Sequence, residues 1–443
     1  MGLGNVKKTY YYLQRNGLKN TWYAVRERLE EAKKIPYSYA PISEALVEKQ
    51  KKEAEGYTTT FSIAVPTYRT KEIFLRELID SLLEQTYPKW ELILADSGGD
   101  DSVKNVALQY GDKRIRYIAL EKNEGIAQNT NYAIEAATGD YVGLLDHDDV
   151  LTKDALYEMV KVIEERKKTG IEVGLLYSDE DKCDGEGKNY FEPHIKEEFN
   201  LQLLLCNNYF CHFCVYERKL IQKLLLRKEF DGAQDYDLVL RTVSELKGDK
   251  ERILHVPYVL YHWRCHEAST AQNPMSKQYA YEAGKRAVQD YFNRTGIKAA
   301  ATHLKHLGFY GRDYGTDIFQ TEKTIGACGG KIYQKGKVVG GRMDLEGRVY
   351  YEDLPKGFSG EMHRAVLWQD AEALDLRCIR VREECIPIFE ETVGISYQEK
   401  NGLFDSSLLD NDSDIKALSL AFGRALKERG YSLVMSPDII RKL

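Results

Sequence analysis

The stretch Tyr141-Val142-Gly143-Leu144-Leu145 is apolar and stops abruptly at Asp146-His147-Asp148-Asp149. Three carboxylates at the end of a buried strand repel one another and are costly to desolvate. A divalent cation offsets that repulsion, and Mg²⁺ is usually held by one or two carboxylates, with water and phosphate oxygens completing its shell. Two readings are open on this stretch alone. One is a strand-end site for a metal–diphosphate; the other is a solvated acidic turn before a helix that starts near Thr152-Lys153-Asp154.

The flanking pattern favours the site. Residues 61–66 form a short apolar strand stopped by Pro66, and Thr70 can cap a helix to about Gln85 with Ile73, Phe74, Leu78, Leu82 and Leu83 on one face. Strand 90–95 ends in Asp96-Ser97-Gly98-Gly99, a helix near 102–110 leads to strand 115–120, and 123–137 reads as helical. This alternation predicts an α/β fold with a mostly parallel sheet covered by helices. Ligands bind such sheets beyond the carboxyl ends of the strands, where Pro66-Thr67-Tyr68, Asp96 and Asp146 to Asp149 all fall. Further on, a helix near 155–167, a strand at 173–177 and a polar turn Ser178-Asp179-Glu180-Asp181 are expected. A strand at 211–216, a helix opened by Asp231-Gly232-Ala233-Gln234-Asp235, a strand at 253–263 and an amphipathic helix at 276–296 follow.

Composition bounds the remaining choices. The 443 residues allow two to three domains, and 43% hydrophobic with 30% charged residues describe an ordinary globular chain. A net charge of −6 gives no support for general nucleic-acid binding. No signal peptide or membrane span is visible, so a cytoplasmic chain with reduced cysteines is expected. Cys211-His212-Phe213-Cys214 lacks the second ligand pair of a structural zinc site and alternates like a strand. Residues 1–57 read as a helical arm, with Tyr11, Leu13, Leu18, Trp22, Val25 and Leu29 as a loose apolar face among Lys and Arg. Packing on the protein, an oligomer contact such as a homodimer, and a peripheral contact with anionic lipid compete for that face. Glu27, Glu30 and Glu31 weigh against the lipid, and packing is the default.

Residues 61–270 resemble the family 2 glycosyltransferases of the GT-A fold, in particular the subgroup associated with bacterial surface polysaccharides. The resemblance rests on Ala64-Val65-Pro66-Thr67-Tyr68, Leu94-Ala95-Asp96-Ser97-Gly98, Asn123-Glu124-Gly125-Ile126-Ala127-Gln128-Asn129-Thr130-Asn131 and Leu145-Asp146-His147-Asp148-Asp149. Tyr177-Ser178-Asp179-Glu180-Asp181, Gly232-Ala233-Gln234-Asp235-Tyr236-Asp237-Leu238 and Tyr261-His262-Trp263-Arg264 follow in family order. Any one motif is weak, but seven in order over about half the chain are specific. They imply a Rossmann-like GT-A domain at 58–300, an N-terminal helical arm at 1–57 and a C-terminal α+β module at 301–443.

The resemblance implies an inverting, metal-dependent transfer of a sugar from a nucleotide-diphosphate-sugar to a hydroxyl of a growing, lipid-linked glycan at the inner membrane face. Asp146 and Asp148 would form the Asp-x-Asp motif around Mg²⁺ or Mn²⁺, with Asp148 the more direct ligand, Asp146 facing the ribose or the metal shell, and His262 completing the site. Pro66, Thr67, Tyr68 and Asp96 would hold the nucleoside. Inversion requires a positioned base for the attacking hydroxyl, and Asp235 matches that base. Glu180, Asp181, Asn208, His212 and Trp263 are candidates for the acceptor side, while His147, Asp149 and Asp237 read as structural.

Two departures leave the donor base and sugar open. Gln128-Asn129-Thr130-Asn131 stands where many relatives carry Ala-Arg-Asn, and Ser97 stands where many carry a second Asp. In the last third, 325–340 and 425–434 resemble the later half of another family 2 domain, with Asp410, Asp412 and Asp414 near its base-bearing helix. That suggests a degenerate half-module used for packing, dimerisation or acceptor positioning; an unrelated α+β appendage is the alternative. A non-catalytic carbohydrate-binding scaffold is the competing function, and Asp146, Asp148, Asp235 and His262 argue against it. A nucleotidyltransferase is a third, but Thr67-Tyr68-Arg69-Thr70 lacks the glycine its first loop needs.

Overall fold

The structure is a computed structural model that describes residues 3–33, 35–266, 278–410 and 414–443. It divides into two units, one of residues 36–199 and 208–295, the other of residues 1–35, 200–207 and 296–443.

The first unit is built on a nine-stranded sheet. Its strands are β1 Phe61–Thr67, β2 Trp90–Asp96, β3 Ile115–Ala119, β4 Tyr141–Leu144, β5 Val150–Leu151, β6 Leu175–Asp184, β7 Tyr190–His194, β8 Cys214–Glu217 and β9 Ile253–Cys265. The order is β3-β2-β1-β4-β8-β6-β9-β5, with β7 on β6. The pairings make β1, β2, β3, β4, β6 and β9 run in one direction, with β5, β7 and β8 against them. The helices are α1 Glu44–Glu53, α2 Glu72–Leu83, α3 Ser102–Tyr110, α4 Ile126–Glu135, α5 Ala155–Lys168, α6 Arg218–Leu224, α7 Gln234–Glu245 and α8 Gln278–Thr295. The mixed, mostly parallel GT-A architecture expected from the motifs is present.

The sheet opens where the site lies. β1 pairs with β2 as far as Thr67↔Asp96, but with β4 only over residues 61–64. Leu145 N donates to Ala64 O at 3.3 Å and the two strands then part. Residues two apart on a strand point their backbone groups to the same side, so Pro66 turns its missing N–H toward this opening, where no ladder bond is lost. A core of Phe61, Ile63, Val65, Leu78, Leu92, Leu94, Met159 and Val160 fills the space beneath the strands. Ile73, expected on the buried face of α2, is exposed; Leu75 and Ile79 take the inner positions with Phe74, Leu78 and Leu82.

Three local expectations are corrected. Ser178 to Asp181 is not a turn but the buried middle of β6, because each carboxylate there finds a cationic or hydroxyl partner. Residues 211–213 are irregular and the strand begins at Cys214. Between the helix Leu3–Glu31 and α1, residues 35–43 carry no helix.

In the second unit, strand Ile325–Gln334 pairs in parallel with Ser432–Lys442 and antiparallel with Lys337–Gly340 and Ile379–Val381; Gln369–Ala371 extends the sheet. Phe389, Phe404, Phe422, Leu426 and Met435 form its core. A Cβ on Gly330 would lie 1.8 Å from the Ile439 carbonyl oxygen, so the neighbouring strand approaches closely only because glycine stands there. Asp414 caps the helix Ile415–Glu428, accepting from Ala417 N at 3.0 Å. Asp412 lies outside the described residues. No described helix is long and apolar enough to cross a membrane.

Candidate active site

The acidic stretch after β4 meets the segment before β8 and the end of β9, and the middle of β6 joins them through His212. Asp96 is buried, and its Oδ1 accepts from Thr67 Oγ1 at 2.9 Å and from Gly98 N at 3.1 Å, while Tyr117 OH donates to Oδ2 at 3.1 Å. Burial, then the Asp96 charge, pushes the Tyr117 phenol up to about 12, so it stays a donor. Tyr68 is exposed beside this turn, with the Arg69 guanidinium 5.2 Å from its ring centre. Pro66 is half-buried.

After β4 the acidic residues separate into different roles. The Asp146 side chain is 48% exposed, with Oδ2 4.0 Å from His212 Nε2. Asp148 is held by His266 Nε2 at 2.8 Å and through its own carbonyl, which accepts from Arg264 Nε at 2.7 Å. Asp149 is buried, accepts from Arg264 N at 2.7 Å and from the Tyr261 hydroxyl, and shapes the turn. Burial, then Asp148 and Asp146, raises its carboxyl well above the ordinary range.

The middle of β6 carries a row of neutralised charges. Asp179 Oδ1 pairs with His255 Nε2 at 2.8 Å and accepts from Lys196 N at 2.8 Å. Glu180 Oε1 meets His194 Nδ1 at 3.2 Å, and its Oε2 meets His212 Nδ1 at 2.9 Å, His212 N at 3.1 Å and Lys196 Nζ at 3.8 Å. Burial alone would raise the Glu180 carboxyl, but Lys196, His212 and His194 hold it well below the ordinary range. Asp181 Oδ1 lies 2.5 Å from His262 Nδ1, and Tyr37 OH donates to Oδ2 at 2.9 Å. The His262 ring is packed between Tyr39 and Tyr190, with centroids 4.5 and 4.4 Å away.

His212 is the hub of the cluster. Its ring stacks on Tyr261 at 4.6 Å and lies 5.5 Å from Trp263, over which Lys182 Nζ sits at 5.5 Å. Burial would discharge the ring; Cys211 and Glu180 hold it well above the ordinary histidine value. Asp235 lies in the first turn of α7, half-buried, and its Oδ2 accepts from Asn208 Nδ2 at 2.9 Å. Burial raises the Asp235 carboxyl, the His212 charge opposes this, and Asp146 adds to it. Asp237, on the same turn, is buried between Arg227 and Arg241.

Local geometry explains how Asp235 is delivered. A Cβ on Gly125 would fall 2.5 Å from Asp231 Oδ2, and the backbone there has φ +100°. Glycine lets Asp231 reach the start of α4, where Oδ1 accepts from Ala127 N at 3.2 Å. A carboxylate is favoured at a helix N-terminus, so the Asn123-Glu124-Gly125 motif anchors the loop that leads into α7.

The donor set decides whether a cation fits. Two clusters of the described residues bring three possible ligand atoms together: Glu180, Cys211 and His212; and Asp146, Asp149 and His212. His212 already serves Glu180 through Nδ1, and Asp149 already serves Arg264 and Tyr261. Asp146 and Asp148 are hard oxygen donors of the kind Mg²⁺ and Mn²⁺ take. Asp181 fixes the His262 tautomer at Nδ1 in the way metal-bound histidines are usually held, while the ring packs between Tyr39 and Tyr190 on the face of β9 opposite Tyr261 and Trp263. The residues fit such an ion, although neither Asp148 nor His262 belongs to the two tight clusters.

Of the candidates named from sequence, Thr67 with Asp96, Asp146 with His212, Glu180 with His212, Asp181 with His262, and Asn208 with Asp235 stand in direct or near contact. Sequence reasoning missed Tyr37, Tyr39, His194, Lys196, Tyr261 and His266. A histidine four residues past His262 was the visible signal for His266; the others carried none.

Residues 62–225 match the model of the glycosyl transferase family 2. The chain is 37% identical over 254 residues to the uncharacterised protein y4gI of Sinorhizobium fredii, covering 56% of this chain and 27% of that protein. It is 32% identical over 245 residues to the O-antigen biosynthesis protein RfbC of Myxococcus xanthus, covering 54% and 18%. The chain thus spans about a quarter or less of the length of these two curated relatives. Among solved structures, S. aureus TarS 1-349 in complex with UDP-GlcNAc is 21% identical with a TM-score of 0.42, covering 53% of this chain and 66% of that one. Residues 62–225 thus match the glycosyl transferase family 2 on a mixed, mostly parallel sheet whose strand ends carry the carboxylates.

Proposed function

We propose that the chain is an inverting glycosyltransferase that moves a sugar from a nucleotide-diphosphate-sugar to a hydroxyl of a cell-surface glycan, with Asp235 as the base. The reading rests above all on one observation: Asp146, far from Asp235 in sequence, lies 4.0 Å from His212, and both groups are near enough for their charges to act on the Asp235 carboxyl. A donor-side carboxylate and a base therefore share one compartment.

The residues divide the work. Thr67, Gly98 and Tyr117 hold Asp96 oriented beneath the nucleoside, with Pro66 and Tyr68 bordering it. Asp146 and Asp148, with His262 as the expected third ligand, would hold Mg²⁺ or Mn²⁺, which supplies Lewis-acid stabilisation of the leaving diphosphate when bound. Asp235 takes the proton of the attacking hydroxyl, which enters from the side lined by Asn208, His212 and Trp263. Glu180 and Asp181 are buried behind this surface and act through His212 and His262. The RfbC name points to an O-antigen-type glycan, and a lipid-linked acceptor suits it. Residues 301–443 carry no Pro-Thr-Tyr strand end for a nucleotide and serve packing, dimerisation or acceptor positioning.

The test is turnover with a panel of nucleotide sugars and Mn²⁺. Asp235→Asn should lower kcat by about 10²–10⁴-fold while donor binding, read by calorimetry, stays within twofold. Full activity in that variant rules out Asp235 as the base. A scaffold function would instead show donor or glycan binding with no turnover in the parent protein.

A further inference from the structure

The helix Leu3–Glu31 breaks its helical backbone at Gly17, and residues 18–31 form a second segment about 21 Å long. One face of it is tied down. Glu27 accepts from Ser359 N at 3.0 Å, from Gly360 N at 2.6 Å and from Ser359 Oγ at 2.9 Å. Tyr23 packs so closely that a Cβ on Gly357 would lie 2.6 Å from its ring. The opposite face is apolar and unpartnered: Leu18 is 80% exposed, Trp22 54%, Val25 37% and Leu29 52%. Their spacing of four, three and four residues makes one stripe.

Lys19, Arg26 and Arg28 flank this stripe together with Glu30. Glu27, whose negative charge weighs against lipid in the sequence, points inward to the Ser359 loop and leaves the surface. Arg26 lies 4.8 Å from the Trp22 ring and pairs with Glu30 at 3.6 Å. Lys356 Nζ lies 5.9 Å from the centre of the Tyr333 ring, and Lys442 is the strand partner of Tyr333; Lys19 neighbours Leu18 on the helix, and its charge and that of Lys442 both act on Lys356. All three lysines are exposed. Lys442, burial and Lys19 together hold the Lys356 ammonium below its ordinary value. A cluster of like charges with no acid among them seeks an external anion.

We infer that this face is a docking surface for an anionic lipid bilayer, with Leu18, Trp22, Val25 and Leu29 entering the headgroup boundary and Lys19, Lys356 and Lys442 meeting the headgroup phosphates. Amphipathic helices bind membranes by this combination, and tryptophan favours the interface. Two copies pairing through the stripe would bring the lysine clusters of both chains together, which disfavours self-association as its occupant. The inference is independent of the transferase reading, because docking needs no turnover.

Flotation of the full chain with phosphatidylcholine vesicles, with and without phosphatidylglycerol, tests it. The protein should float only with the anionic vesicles and lose binding at high salt. Leu18→Gln with Trp22→Gln, and separately Lys19→Glu with Lys356→Glu, should each weaken binding at least about tenfold. These side chains are exposed, so circular dichroism should be unchanged. No flotation, equal flotation with neutral vesicles, or binding indifferent to both variants overturns the inference. So does a dimer in sedimentation equilibrium that Leu18→Gln with Trp22→Gln dissociates while vesicle binding is absent.

Discussion

Asn208 donates its amide hydrogen to one carboxylate oxygen of Asp235 at 2.9 Å, and the other end of its amide, Oδ1, is buried with no protein partner. The amide orientation follows from the partner, since an ionised carboxylate only accepts. With Asp235 as the proposed base, Asn208 is a positioning residue: it fixes one oxygen of Asp235 and leaves the other for the acceptor hydroxyl. Asn208→Asp should place a second carboxylate against Asp235 and raise the apparent pKa of the base. Activity depends on ionised Asp235, so the acidic limb of the kcat profile should move to higher pH. Asn208→Ala should lower kcat by about ten- to a hundredfold with donor KM unchanged. A profile that does not move in Asn208→Asp shows that the bond has no part in orienting the base.

Glu180 is the most heavily engaged carboxylate in the cluster, and its removal leaves His194, Lys196 and His212 without their common partner. Breaking a buried pair by deleting one member costs about 3–5 kcal/mol. Glu180→Ala should lose stability on that scale in urea unfolding, while Glu180→Gln, which keeps the shape and an acceptor, should lose less. Equal losses in the two variants would mean that packing, not charge, accounts for the effect.

These two residues also show what was legible in the sequence. The strand ends were readable because an apolar run that stops at Asp96 or Asp146 reports both a strand and its exposed end. The β-α rhythm before them placed those ends on one edge. Ser178 to Asp181 misled, since four polar residues in a row read as a turn. Their partners come from His194, Lys196, His212, His255 and His262, and that pairing is a tertiary fact. Tyr37 and Tyr39 were hidden for a related reason: residues 1–57 read as one helical arm, but 35–43 carry no helix and place both rings against Asp181 and His262. The exposed stripe of the helix Leu3–Glu31 was visible as a pattern, yet its direction depended on where Glu27 turned.

Asp181 acts on His262 alone among the expected ligands, through the contact at Nδ1. A histidine whose second nitrogen is held by a carboxylate keeps one tautomer, and losing that partner typically costs ten- to a hundredfold in metal affinity. Asp181→Asn should weaken Mn²⁺ binding by about that range, read by calorimetry in the presence of a nucleoside diphosphate. Tyr37→Phe, which removes the other support of Asp181, should give a smaller change in the same direction. Unchanged Mn²⁺ affinity in Asp181→Asn would remove His262 from the metal site.

Away from the transferase unit, His306 and His363 stack with centroids 3.5 Å apart, and Ser359 Oγ lies 2.8 Å from His363 Nδ1. Burial, then the His363 charge, lowers His306 to about 3, with Lys305 and Arg15 adding and Glu27 opposing. Burial, then Arg28, lowers His363 to about 4. Both rings are therefore neutral in the folded chain at neutral pH, whereas an unfolded histidine titrates near about 6.5. Below that value the unfolded chain binds more protons, so stability present at pH 7 is lost as the pH falls from the unfolded value toward the folded ones. The loss should be on the order of 2 kcal/mol per ring, roughly 3–4 kcal/mol for the pair, by pH 5. Thermal unfolding at pH 7.5 and pH 5 should show the drop in the unit that holds the N-terminal helix, and His363→Phe should flatten the dependence while keeping a ring in the stack. If His363→Phe loses as much stability on acidification as the parent, the titrating group lies elsewhere.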